Sequence, residues 1–383
     1  MKVEVKGVIN PGFEAVQDEF EHLWNEIEVG ASFCVYHQGE KIIDLWGGFT
    51  DRDQGVAWQA DTLVNVYSAT KGPASLAIAI LHDEGLINYE EKVATYWPEF
   101  GAEGKQNITV AQLLSHQAGL SGVDARLTVE DLYDWDKMIN LLAAQKPHWE
   151  PGTAAGYHAI MWGYFPGELI RRITGKTLKE YFHEKVAVPL DADFYIGLPV
   201  SEFHRCATLI GPGRARKQPA PTPAVKMPRL HSGSLHNPSI SPFKHACSTP
   251  WRNAEIAASN GHASARGLAK IYGALSMNGT LGGTSIIGPE SLWEATKVEV
   301  EGIEDLVLGG KLRRARGFML NSDSAYGPND ESFGHAGAGG SLGFADPDTG
   351  LGFGYAMNQM QSDATAVPRS KLLLEAVYRC LQK

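Results

Sequence analysis

Cysteine is scarce. The 383 residues hold four, Cys34, Cys206, Cys247 and Cys380. No two of them form a C-x-x-C pair, so neither a zinc ribbon nor a thioredoxin-type redox motif is indicated. Four free, mostly buried thiols are expected instead. Long apolar runs are missing too: no stretch approaches the roughly 18 apolar residues that cross a bilayer, and no membrane association is expected. Met1-Lys2-Val3-Glu4-Val5-Lys6 lacks the apolar core of a secretory signal, which makes a reduced, cytoplasmic setting the expectation. Positive charge is in deficit. Lys and Arg number 34 against 44 Asp and Glu, a net −10 at pH 7, the reverse of the basic balance of a nucleic-acid binder. The 13 histidines include no H-E-x-x-H and no H-x-H pair. Isolated ones such as His82 and His116 read as structural, and neither a metal nor a cofactor is expected. Internal repeats and low-complexity tracts are also lacking.

What is present is an ordinary globular composition, 43% apolar and 20% charged, enough for one large domain or two smaller ones. Phe13, Val16, Phe20, Leu23, Trp24 and Ile27 recur at spacings of three and four, which predicts an amphipathic helix over 13–27. Residues 32–37 and 41–46, joined across Gln38-Gly39-Glu40, read as a β-hairpin. Residues 69–84 predict a helix apolar nearly all round, hence buried, with Gly85 as its stop. From 86 to about 255 the chain is rich in aromatics and short helices. Residues 109–116, 129–144 and 161–174 read as helical, and the proline-rich stretch 211–250 as a long wrapping loop. A helix over 265–277, strands at 340–345 and 352–357 across the turn 346–350, and a closing helix over 371–381 complete the pattern. Both ends therefore supply strands and helices. The predicted fold is α/β of the α+β type, an antiparallel sheet flanked by helices. Residues 1–85 and 256–383 would form a discontinuous α/β domain, and 86–255 a mostly helical insert domain, with the site in the cleft between them.

Ser68-Ala69-Thr70-Lys71 is an S-x-x-K tetrapeptide at the start of the most buried predicted helix. Residues three apart on a helix share a face, so the Lys71 amine can stand beside the Ser68 hydroxyl. A serine hydroxyl attacks only once a base takes its proton. A buried lysine loses its own proton more easily than an exposed one and can serve as that base. The helix N-terminus favours an oxyanion, and the Ser68 backbone N–H can donate to it. A rival lies at Gly339-Gly340-Ser341-Leu342-Gly343, which fits the G-x-S-x-G elbow. That elbow needs a following helix and a later histidine. Here a turn and a strand follow, and no histidine occurs after His335.

Ser68-Ala69-Thr70-Lys71 also resembles the first motif of the penicillin-recognising serine enzymes. Gly85-Leu86-Ile87-Asn88, Tyr96-Trp97-Pro98-Glu99-Phe100 and Ile108 through Leu120 are similar to segments of the class C β-lactamase branch. So is Trp149-Glu150-Pro151-Gly152-Thr153, which leads to Tyr157. The likeness spans roughly residues 15–380. It implies a β-lactamase/transpeptidase-like fold and a second-motif tyrosine at Tyr157, relaying protons with Lys71. A phenol beside a lysine ammonium would have a lowered pKa. Tyr157-His158-Ala159 lacks the family's asparagine at its third place. The third motif, Lys-Thr-Gly in β-lactamases, reads His335-Ala336-Gly337 here. His335 and Gly337 are the implied substrate-binding residues, with His335 contributing a dipole or partial positive charge. The Ala338 N–H is the implied second oxyanion donor.

Losing the lysine weakens the anchor for a β-lactam carboxylate. The pattern, with Asp193 through Pro199, looks like the family VIII carboxylesterases of this fold. The expectation is a serine carboxylesterase acting on small-molecule, short-chain acyl esters through a Ser68 acyl-enzyme. A β-lactamase, D-alanyl-D-alanine peptidase or acyltransferase is the first alternative, and a non-catalytic binding or scaffold protein the second. Whether Lys71 or Tyr157 is the base stays open at this point, as do acyl length and oligomeric state.

Overall fold

The structure is a computed structural model that describes residues 3–25, 28–212, 229–361 and 368–382. Its frame is a seven-stranded antiparallel sheet. The strands lie in the order Lys6–Ile9, Glu40–Gly48, Gly30–His37, Leu351–Met357, Leu342–Asp346, Phe333–Ala336 and Met319–Leu320. The expected hairpin forms because Gln38 and Gly39 both take left-handed conformations, φ 51° and 82°, the two-residue turn that matches strand twist. The expected strand pair at the C-terminal end forms likewise, Leu342 facing Tyr355 and Asp346 facing Leu351.

Both faces of this sheet are covered, as the near-continuous apolar runs of its central strands require. On one face lies the Ala265–Ser276 helix. It packs close because Gly352 and Gly354 carry no side chain: a Cβ at either would stand 2.2 or 2.3 Å from that helix's backbone. On the other face Phe33, Val35, Phe344, Phe353 and Tyr355 pack with the Glu14–His22 and Arg369–Leu381 helices in one apolar core. The first helix thus ends sooner than expected, passing into a 3-10 turn at Leu23–Asn25, and Ile27 lies outside the described residues.

The middle of the chain is mostly helical. The Lys71–Asp83 helix packs against it, with every residue from Lys71 to Leu81 buried. The segment predicted as one helix over 129–144 is two, Glu130–Tyr133 and Trp135–Ala144. The break is Asp134, extended at φ −93° and ψ 95°, whose carboxylate accepts from Lys137 N as an N-cap. The proline-rich stretch is not simply a loop either. Residues 213–228 lie outside the described set, but Arg229–Leu235 and Thr249–Asn253 are helices. In the second, Ser248 caps the N-terminus and Pro250 sits in the first turn, where its missing N–H costs nothing. A small sheet, Val64–Asn65, Gly261–Ala263 and Phe194–Ile196, ties the strand before Ser68 to this helical part. No described helix is long and apolar enough to cross a membrane, and all four cysteines are free thiols.

Candidate active site

Ser68 opens a 3-10 turn, Ser68–Thr70, that runs directly into the Lys71–Asp83 helix. The residue before it, Tyr67, has φ 45° and ψ −129°, a costly conformation for anything but glycine. The surroundings hold it there. Val66 N donates to Gly261 O at 2.9 Å and Thr70 N to Tyr67 O at 2.9 Å. The Thr70 hydroxyl donates to Tyr67 O as well and accepts from Gly261 N at 2.9 Å.

Lys71 is fully buried, and its Nζ has three oxygen neighbours. Ala159 O is at 2.8 Å, Ala258 O at 2.9 Å and Ser68 Oγ at 3.2 Å. None is a carboxylate, so nothing offsets desolvation, and burial pushes the amine well below its ordinary pKa. The two carbonyls can only accept. Nζ donates to all three, and once it gives up a proton it can keep the two carbonyl bonds and turn its lone pair to Ser68 Oγ.

Tyr157 donates its hydroxyl to the same Ser68 Oγ at 2.8 Å, and its ring centre lies 4.8 Å from Lys71 Nζ. Its pKa moves opposite to the expected direction: burial pushes the phenol up to about 12. The hydrogen bond to Ser68 and the Arg314 charge only partly offset that burial. Tyr157 is therefore a phenol, a proton donor, at neutral pH. His116 lies against its ring at 5.1 Å. His158 donates through Nδ1 to Gly156 O at 2.7 Å and accepts Leu120 N at Nε2 at 3.0 Å. Burial drives His116 well below its ordinary pKa and His158 to about 3, so both are neutral, structural histidines.

The third-motif residues close the other side. His335 sits in the Phe333–Ala336 strand, its ring 6.1 Å from that of Tyr157. Burial pushes its pKa down to about 3. It supplies a dipole and no charge, a correction to the partial positive charge expected. With Nδ1 donating to Ala336 O at 2.7 Å, Nε2 is left as a bare buried acceptor with no partner among the described residues. Gly337 is where main chains meet: a Cβ there would stand 2.0 Å from Val66 O and 2.2 Å from Ser341 Oγ. Two residues past Val66 is Ser68, and one past Gly337 is Ala338. Neither the Ser68 nor the Ala338 N–H donates to another main-chain group among the described residues. Ser341, the serine of the rival elbow, is buried and donates to Val66 O at 2.8 Å, which makes it a strut and removes it as a nucleophile.

Several residues here carry no motif and went unread in the sequence. Asp305 accepts Tyr157 N at 3.2 Å, Val307 N at 2.8 Å and Leu308 N at 2.7 Å. It also pairs with Arg314, both side chains being buried. Ser234 donates to Tyr157 O at 2.6 Å and accepts Ala159 N at 3.0 Å. No local signal marks their part in the site, because the bonds from Asp305 and Ser234 to the Tyr157–Ala159 segment join residues distant in sequence. Among the described residues no three His, Cys, Asp or Glu side chains are grouped to hold a metal ion.

Residues 16–378 match the Beta-lactamase family. The chain belongs to that family. Esterase/beta-lactamase LipL of Mycobacterium tuberculosis is 36% identical over 365 residues, 94% of this chain and 84% of its own length. The crystal structure of a family VIII carboxylesterase shares 47% identity at a TM-score of 0.92, covering 98% of this chain and all (100%) of that one. A penicillin-binding protein homologue from Caulobacter crescentus shares 40% at a TM-score of 0.91, with 98% and 100% covered. The expected fold and the likeness to family VIII carboxylesterases are both borne out.

Proposed function

We propose that this member of the Beta-lactamase family is a serine carboxylesterase that cleaves short-chain acyl esters through an acyl-enzyme on Ser68. The observation that carries the reading is the position of Ser68 Oγ, 3.2 Å from Lys71 Nζ and 2.8 Å from Tyr157 OH. The pKa directions divide the labour. Lys71, its pKa lowered by burial, takes the Ser68 proton as Oγ attacks the ester carbonyl. The N–H groups of Ser68 and Ala338 hold the oxyanion. Tyr157, a phenol, gives its proton to the departing alkoxide and is reprotonated from Lys71. Water then attacks the acyl-enzyme, and the same two groups move its protons in the reverse sense, returning Ser68 and releasing the acid.

Substrate class follows from what stands around the serine. A neutral His335 offers no cation to a carboxylate, and Ala159 offers no side-chain amide. Both fit an uncharged ester better than a β-lactam. The family VIII carboxylesterase at 47% identity supports the same choice. The name of the mycobacterial relative, esterase/beta-lactamase, favours slow β-lactam turnover as a second activity. We also read the chain as two parts, 1–85 with 256–383 and 86–255, meeting at the site. The four free thiols support a cytoplasmic, reducing setting.

The test is a panel of p-nitrophenyl esters beside a chromogenic cephalosporin. Ester turnover should far exceed cephalosporin turnover, and Ser68→Ala should abolish both without unfolding the protein. A fluorophosphonate should label Ser68, as read by mass spectrometry. Fast cephalosporin turnover without ester hydrolysis would overturn the substrate class. Absence of the Ser68 adduct would favour a non-catalytic protein.

A further inference from the structure

The turn that carries Ala338 is held by main-chain bonds and by one buried hydroxyl. Gly337 N donates to Ser341 O at 2.7 Å and Gly340 N to Gly337 O at 3.1 Å, closing it. Gly339 and Gly340, at φ 89° and 122°, make the reversal that side chains would resist. On its open side the turn borders a cavity of about 430 Å³ lined by Asp323, Tyr326, Gly340 and Lys371. On that flank Gln361 N donates to Gly339 O at 2.9 Å. At its end stands Ser341, 1% exposed, with its hydroxyl on Val66 O at 2.8 Å. The same Val66 oxygen accepts Ala69 N at 3.2 Å. One carbonyl thus takes a bond from the nucleophile turn and a bond from the Ala338 turn.

We propose that Ser341 is a positioning residue for the oxyanion hole, its hydroxyl on the Val66 carbonyl setting the separation of the Ser68 and Ala338 N–H groups. This rests on the reading that those two groups bind the oxyanion. An oxyanion hole is matched to the tetrahedral state and not to the planar ester, so a small displacement of Ala338 costs rate without costing substrate binding. Without the hydroxyl the turn loses its direct tie to the Val66 carbonyl, and the Ala338 N–H can shift against the Ser68 N–H.

The experiment compares Ser341→Ala and Ser341→Cys with the wild type. It measures kcat and KM on p-nitrophenyl butyrate and the Ki of a trifluoromethyl ketone that forms a tetrahedral adduct. For Ser341→Ala we expect kcat to fall about tenfold to 10²-fold and Ki to rise in step, with KM unchanged. Ser341→Cys keeps a weaker donor and should fall between the two. If the alanine variant does not fold, the cysteine variant decides, by an intermediate loss in kcat and Ki together. Wild-type kcat and Ki in the variants would overturn the proposal, as would a rise in KM equal to the fall in kcat, which marks general disorder. Failure of the underlying reading is distinct: the wild type itself would then form no fluorophosphonate adduct at Ser68, and both readings would go.

Discussion

Replacing Tyr157 by phenylalanine removes one oxygen and little else. The ring packs against His116 at 5.1 Å and His335 at 6.1 Å. Its backbone is held by Asp305 at the N–H and Ser234 at the carbonyl. None of these contacts uses the phenol oxygen. The single bond lost is the 2.8 Å donation to Ser68 Oγ, a net cost to folding of about 1 kcal/mol. The catalytic cost is larger. Losing a positioned proton donor is worth about 10²–10⁴ in rate, or about 3–5 kcal/mol of barrier. It falls unevenly across substrates. Ethoxide cannot leave without a proton at neutral pH, whereas p-nitrophenolate can. Ethyl butyrate followed by pH-stat and p-nitrophenyl butyrate followed by absorbance separate the two, and kcat/KM reports only the steps through acylation. The ethyl ester should lose about 10³-fold and the nitrophenyl ester about tenfold or less. Equal losses on both would refute the leaving-group role and move Tyr157 to activation of Ser68. Unchanged hydrolysis of the ethyl ester would remove it from the mechanism.

In the proposed mechanism, activity needs Lys71 deprotonated and Tyr157 protonated. It is therefore lost as pH falls through the depressed pKa of Lys71 and kept as pH rises until the phenol ionises near 12. A kcat/KM profile should rise to an alkaline plateau, with no histidine step, since burial holds His158 and His335 at about 3. An alkaline fall well below 12, on folded enzyme, would contradict this. Gly337→Ala would place a Cβ 2.0 Å from Val66 O and displace the Ala338 turn. Steady-state kinetics should show kcat reduced about 10²-fold, and a wild-type value would contradict the close approach. Lys105 is buried and donates to Ala143 O at 3.0 Å and Gln145 O at 2.7 Å, at the end of the Trp135–Ala144 helix. Lys105→Ala strands both carbonyls and leaves a cavity, so urea unfolding should show a loss of about 3 kcal/mol. A midpoint equal to wild type would refute that role.

Much of this protein is written locally. S-x-x-K spacing puts Lys71 beside Ser68 because three residues are nearly one helical turn. The apolar run behind it makes that helix buried wherever it packs, so an altered lysine was foreseeable from sequence alone. Two-residue periodicity and turn chemistry likewise mark the hairpin and the C-terminal strand pair. What the amine meets once buried is not local. The carbonyls that hold Lys71 belong to Ala159 and Ala258, 88 and 187 residues away. Only the tertiary structure shows how completely Lys71 and Tyr157 are buried, and that burial lowers the amine's pKa and reverses the direction expected for Tyr157. The same holds for Asp305 beneath Tyr157, for the neutral state of His335, and for Ser341 as a strut. Each depends on which main-chain groups fold against it and how completely water is excluded, and a linear pattern carries neither.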